Sequence, residues 1–297
     1  MSSTGAREPL SSARAGQMDR PAWRVHVLRG EQGPVLVGLL PLLFLAFLFL
    51  LPVIRLLLLS VEGGTLAHFE KAVSGDLYVQ VFLETFKIAT IVTAVSLLLA
   101  YPVAYFLATA SPRWVLIGLV FLMLPFWTSI LVRTYAWMIL LGRNGVLNQI
   151  LIALGFVSEP VTLLYNVTGV LIGMVHVLLP YMVFPVYSAM LRVDRDLMLA
   201  AEGLGASGWQ VFWRVFLPLT MPGVMAGTAL VFILSLGFYI TPALLGGGRV
   251  IMIAVLIEQQ VRQFLEWGFA SALSILLLIA TLLALLALNR LGWRRSA

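Results

Sequence analysis

The stretch from Leu199 to Val224, LAAEGLGASGWQVFWRVFLPLTMPGV, holds the residues that most invite a chemical reading. Within it, Gly205-Ala206-Ser207-Gly208 has the Gly-x-Ser-Gly pattern of a serine nucleophile. Such a serine needs a base to take its proton. The three histidines are His26, His68 and His176, and none follows Ser207. Ser207 also lies in a charged segment between apolar runs, so protease chemistry is not expected. The two lysines, Lys71 and Lys87, do not follow a glycine, so there is no phosphate-cradling Gly-Lys-Ser/Thr loop. This chain alone is not expected to hydrolyse ATP. It has no cysteine and no His-Glu-x-x-His pair, which removes disulfides, thiolate metal sites and a Cys nucleophile. The expectation is no catalytic residue, no metal and no cofactor bound by this chain.

The elements around that stretch explain its setting. The chain is 61% hydrophobic and 11% charged, with a mean hydropathy of +1.01. A soluble domain carries about 25% charged residues, so this composition belongs to a polytopic membrane protein. A bilayer core requires about 20 apolar residues per helix. Six runs qualify, at 35–59, 81–108, 114–140, 166–190, 219–240 and 268–290. Backbone groups in lipid must be bonded internally, so the spans are helices. Arg7, Arg14, Arg20, Arg24, Arg29, Arg113, Arg192, Arg195, Arg214, Arg290, Arg294 and Arg295 fall on one side. Only Lys71, Arg143, Arg249 and Arg262 fall on the other. The positive-inside rule then places both termini and the 191–218 segment in the cytoplasm. Residues 1–34 read as a flexible basic tail that orients the first span; nucleic-acid binding is not expected. The first apolar run reads as an uncleaved span. Residues 35–297 form one transmembrane domain. Apolar residues at 146, 147, 150, 151 and 154 predict a short interfacial helix on the outer face.

The 191–218 segment reads as two short helices. Asp194 or Asp196 caps the first, which ends at Gly205. Ser207 caps the second, where Trp209, Phe212, Trp213 and Phe216 share one face. Pro218 and Pro222 are expected to break the chain into span five. The residues alone leave two uses open: an aromatic belt on the inner leaflet, or a docking knob for another protein.

The segment resembles the EAA loop of ABC importer permeases. That pattern is Glu-Ala-Ala, three residues, Gly, nine residues, an aliphatic, any residue, then Leu-Pro. Here Ala200 and Ala201 are followed by Glu202, Gly203, Leu204 and Gly205. Ala206 to Arg214 supply the nine residues before Val215-Phe216-Leu217-Pro218. Leu199 stands where the family usually has Glu, and Asp196 or Glu202 would take over its polar contact. The resemblance implies an all-α fold of six transmembrane helices, the type I importer permease. It also implies that this loop, with Trp209 on its aromatic face, couples to a separate dimer of ATPase subunits carrying ATP-Mg. A second permease subunit would complete the path, and a periplasmic substrate-binding protein would deliver the solute.

The stretch 124–148, LPFWTSILVRTYAWMILLGRNGVLN, is similar to the third span of the polyamine (spermidine/putrescine) permeases. Permeases for iron, thiamine or phosphonates share much of the pattern. An ion-gradient-driven secondary transporter is the reading from another class, but inverted repeats and paired intramembrane carboxylates are not evident. Ammonium groups bind aromatic faces, which makes Trp127, Tyr135, Trp137, Tyr181, Phe238 and Tyr239 candidates to line the path. Arg133 is a candidate too, although packing by outward snorkelling or by a carboxylate partner is the plainer expectation. Glu84 with Lys87, and Glu258 with Arg262 and Glu266, are spaced for ion pairs. Gly169, Gly173, Gly223 and Gly227 are spaced for close helix contact.

Overall fold

The computed structural model describes residues 33–61 and 66–293. The basic tail, apart from its last two positions, lies outside the described residues. The chain divides into two compact units, Met1–Val53 and Ile54–Ala297. The described part of the first is the leading portion of α1 (Gly33–Ser60), apolar all round and carrying Pro41 and Pro52.

In the second unit the order is α2 (Ala67–Ser74), α3 (Asp76–Thr109), α4 (Pro112–Trp127), α5 (Ile130–Leu141), α6 (Val146–Ala153) and α7 (Val167–Met190). Then come α8 (Arg195–Gly203), α9 (Gly208–Val211), a π turn (Phe212–Phe216) and α10 (Leu217–Leu236). The chain closes with α11 (Ile240–Leu245), α12 (Ile253–Arg262) and α13 (Trp267–Trp293). Among the described residues there is no strand, and six helical stretches are long and apolar enough to cross a membrane. α6 is the expected short helix after span three.

α3, α7 and α10 enclose the core. Ile88 and Val92 of α3 meet Met174, Leu178 and Met182 of α7 and Val231 of α10, all fully buried. Small residues bring the backbones together, as membrane helices require in the absence of a water-driven collapse. A Cβ on Gly223 would press on the Ala189 Cβ and lie 2.5 Å from the Pro185 carbonyl oxygen. One on Gly227 would lie 2.8 Å from Met182 Sδ, and one on Gly173 would meet Leu245 and Thr241 of α11. Buried hydroxyls are satisfied locally, apart from Ser96 Oγ, which has no partner among the described residues. Thr85 donates to the Val81 carbonyl at 2.7 Å and accepts from the Ile253 amide at 2.9 Å, pinning the start of α12 to α3.

Several expectations are corrected. Span three is not one helix: α4 ends at Trp127 and α5 begins at Ile130, with Thr128 and Ser129 extended between them. Pro125 lies just before the break, and Ser129 precedes α5 without a side-chain capping bond. Span five stops at Leu236, so Phe238 and Tyr239 lie outside it, and α11 follows at once. Its other end is longer than expected. Neither Pro218 nor Pro222 interrupts the chain: Pro222 lies inside α10, and before Pro218 the turn widens, so that the Leu217 amide reaches the Phe212 carbonyl, five residues back. A π turn leaves room for a proline ring that would strike the carbonyl four residues before it. The helix therefore runs unbroken from Gly208 to Leu236. Finally, Glu266 pairs with Lys71 at 2.9 Å rather than with Arg262, whose partner is Glu258 at 3.4 Å. The Glu84–Lys87 pair forms at 3.1 Å.

Candidate functional site

The segment between α7 and α10 is held by three local devices. Asp194 accepts from the Asp196 amide at 2.9 Å and starts α8. α8 closes at Gly203 with Leu204 as its cap, and the next residue, Gly205, has φ of +87°. The Gly205 amide bonds the Glu202 carbonyl at 2.9 Å, and the Ala206 amide bonds the Ala201 carbonyl at 3.1 Å. This paired arrangement is a Schellman turn, which takes up orphan carbonyls at a helix end and favours glycine. Two residues later Ser207 and Gln210 form a reciprocal capping box that starts α9. Sequence order thus becomes a stiff corner with one pivot.

The aromatics divide by depth. Phe212 and Phe216 point back to α3, with Phe216 buried and stacked edge-on against Tyr105 at 5.6 Å. Phe212 meets Tyr101 at 6.1 Å. Tyr101 also shares a hydrogen bond with Thr220 at 3.1 Å. Trp209 packs on Trp213 at 5.5 Å, yet Trp209 stays 71% exposed. Leu199, Ala200, Glu202, Leu204, Gly205 and Pro218 are exposed as well, while Ala201, Ala206 and Leu217 are half-buried. A groove of about 460 Å³ lies between Tyr105 and Thr109 of α3 and Met198, Leu199 and Glu202 of α8. The corner therefore has an anchored inner face and an apolar outer face that this chain leaves open.

A family model for the inner membrane component of binding-protein-dependent transport systems matches residues 34–292. The chain belongs to this family. Like its other members, it is a multi-pass inner-membrane permease component of an ABC transport system, not an enzyme. It is 40% identical over 199 residues to the spermidine/putrescine permease PotB of Haemophilus influenzae, covering 67% of this chain and 70% of that one. It is 39% identical over 220 residues to PotB of Escherichia coli K12, covering 74% and 78%. A putative 2-aminoethylphosphonate permease, PhnU of Salmonella typhimurium, is 31% identical over 89% and 93% of the two chains. Among solved structures, a chain of a bacterial alginate ABC transporter matches with a TM-score of 0.69 at 19% identity, covering 88% of this chain and 95% of that one.

The aromatics named as path candidates do not form one cluster in this permease. Trp127 is 89% exposed at the break after α4, and Tyr135 is 54% exposed on α5. Trp137 and Tyr181 are half-buried where α5 meets α7. Phe238 and Tyr239 lie in the turn after α10, and the Tyr239 hydroxyl neighbours Glu258. Burial first, and then Glu258, push the Tyr239 phenol above its ordinary range. The structure adds a contact that spacing did not reveal. Trp137 Nε1 donates to His176 Nδ1 at 3.1 Å, and the rings meet edge-on at 5.6 Å. These residues are 39 apart and no local pattern joins them. Changing Trp137 to Phe keeps an aromatic ring but removes the indole N–H and leaves His176 Nδ1 without its donor. Such a hydrogen bond contributes about 1 kcal/mol. In a chain this long the expected fall in Tm is about 1–3 °C in a detergent thermal scan.

Arg133 finds a backbone partner rather than a carboxylate. Its Nη2 donates to the Thr128 carbonyl at 3.2 Å, across the break. No carboxylate pairs with it among the described residues.

Proposed function

We propose that this permease component serves an importer of polyamines of the spermidine/putrescine kind. It forms half of the translocation path, and a second permease subunit forms the other half. A dimer of ATPase subunits, carrying ATP-Mg, docks on the 199–218 corner. A periplasmic binding protein delivers substrate at the opposite face. ATP-driven closure of the ATPase dimer pushes the corner, and the membrane helices follow.

One observation carries the coupling reading: an apolar outer face, with Leu199, Leu204 and Trp209 exposed, stands on a corner locked by a Schellman turn and a capping box. An ordinary interhelical loop has no need for both. The polyamine reading is supported by the identity to PotB over two thirds of the chain.

The test is purification of the tagged chain from native membranes in mild detergent, followed by uptake in proteoliposomes of the recovered complex. We expect an ATPase and a second permease to co-purify. Spermidine uptake is expected to need ATP and the cognate binding protein, and to survive an uncoupler. Uptake that collapses with the uncoupler while ATP is held constant would identify an ion-gradient-driven transporter instead.

A further inference from the structure

The buried face of α10 can be followed back toward the corner. Thr220, Gly223, Gly227 and Val231 are buried along it, and Phe216 continues the same stripe. A regular helix turns about 100° per residue. Trp209 lies seven residues before Phe216, about 700° and so within about 20° of the stripe. Val211 lies five residues before it, about 140° away. Regular pitch would therefore bury Trp209 and expose Val211. The structure does the reverse: Trp209 is 71% exposed and Val211 5%.

The widened turn at Phe212–Phe216 accounts for the reversal. It holds one residue more than a regular turn, which shifts everything ahead of it by about 100°. Trp209 then stands as though six residues from Phe216, about 120° off the stripe, and Val211 as though four, about 40° off it. Pro218 favours the wide turn. In a regular turn the amide at this position would bond the Arg214 carbonyl, but proline has no N–H and its ring crowds that oxygen. The Leu217 amide bonds the Phe212 carbonyl instead. Pro222 sits in α10 without such a turn, so a proline ring does not dictate it alone. Phe212 and Phe216, both held against α3, keep the added residue between them.

We infer that Pro218 is a positioning residue: by withholding the bond of a regular turn, it aims Trp209 out of the protein, at the ATPase proposed to dock there. This rests on the coupling reading of the 199–218 corner. The Leu-Pro pair that closes the segment thus has a task outside span five, in setting which residues of α9 are on show. With the regular bond restored, the corner would present Val211 and hide Trp209.

The test uses the full chain with its partner subunits. The chain has no cysteine, so an introduced thiol is the only one in it. Trp209→Cys and Val211→Cys are labelled with a membrane-impermeant maleimide in inside-out vesicles, from cells making the permeases with and without the ATPase. Without the ATPase, Trp209→Cys should label at least about fivefold faster than Val211→Cys, because thiol reactivity follows exposure. The ATPase should shield Trp209→Cys. Adding Pro218→Ala should reverse the order of labelling. With Trp209 and Val211 both intact, Pro218→Ala should cut ATPase stimulation by loaded binding protein at least about tenfold, the loss expected of a misplaced interface aromatic. Deleting the exposed Arg214 as well removes the extra residue and should restore both readouts. An unchanged order of labelling in Pro218→Ala overturns the inference, as does a reversal that the deletion leaves in place. So does a Pro218→Ala protein that fails to fold, because alanine supplies the missing amide and suits a helix. If the ATPase does not shield Trp209→Cys when Pro218 is present, the coupling reading fails and this inference with it; shielding that Pro218→Ala leaves unchanged confines the failure to Pro218.

Discussion

Gly205→Asp is expected to leave the protein in the membrane and to cut transport at least about tenfold, the effect of a little over 1 kcal/mol on the coupled step. Gly205 sits at φ +87° in the Schellman turn that ends α8. An L-residue in that region costs about 1–2 kcal/mol, with Asp toward the low end. A Cβ there meets nothing in this chain within 4 Å, so internal packing is not disturbed. The damage falls on the outward-facing surface, where a carboxylate would replace bare backbone on the face we propose for ATPase docking, and on the angle between α8 and α9. Insertion and yield should match wild type. Stimulation of ATPase activity by loaded binding protein should be lost. Gly203→Ala is the control, since Gly203 is also free of close neighbours but has no positive φ. Normal stimulated ATPase and normal uptake in Gly205→Asp would show that the turn is only a connector.

Gly223→Leu is expected to have the opposite signature: loss of the folded protein itself. Gly223 lies where α10 crosses α7, and even a methyl group there would press on Ala189 and stand 2.5 Å from the Pro185 carbonyl oxygen. Backbone cannot move aside as a flexible side chain can. Overpacking of a dense interior costs about 1–3 kcal/mol, and more where whole helices must separate. Two of the three core helices meet at this point, so the yield of monodisperse protein on size-exclusion chromatography should fall several-fold. Any remaining fraction should melt well below wild type. Gly237→Ala, whose Cβ would meet nothing within 4 Å, should behave normally. A well-folded Gly223→Leu protein would mean that α7 and α10 are not held as closely as described.

What the sequence made legible follows from the range of the forces involved. Apolar runs mark spans because lipid thickness is a one-dimensional constraint, and α3, α7 and α13 lie where hydropathy placed them, within a few residues. The caps at Asp194 and Ser207 were readable because a capping bond spans two or three residues. The break at Thr128 was legible only as a kink at Pro125: both sides of it are apolar, so hydropathy does not show that the helix stops. Pro218 misled for a different reason: a proline predicts an interruption only if the helix keeps its usual pitch, and the π turn changes the pitch instead. Pairings across helices, such as Trp137 with His176 and Lys71 with Glu266, depend on helix rotation and tilt, which local patterns do not encode. The corner at 199–218 was the most legible part because its motif, caps and glycine are contiguous.

The unbroken run from Gly208 to Leu236 has a mechanical result. Its 29 residues make a rod of about 43 Å at 1.5 Å per residue. A rod turns an angle at one end into a distance at the other. Tilting it by about 10° around the Gly208 end swings the Leu236 end through roughly 7 Å, more than the pitch of one helical turn. The residues at that far tip are Phe238 and Tyr239, just beyond the terminal glycine. A proline that broke the helix would have absorbed the swing as a bend, whereas the widened turn at Phe212–Phe216 keeps the rod whole. A modest rotation at the corner would thus become a stroke of several ångströms at the far end, if the arm stays straight past Pro222.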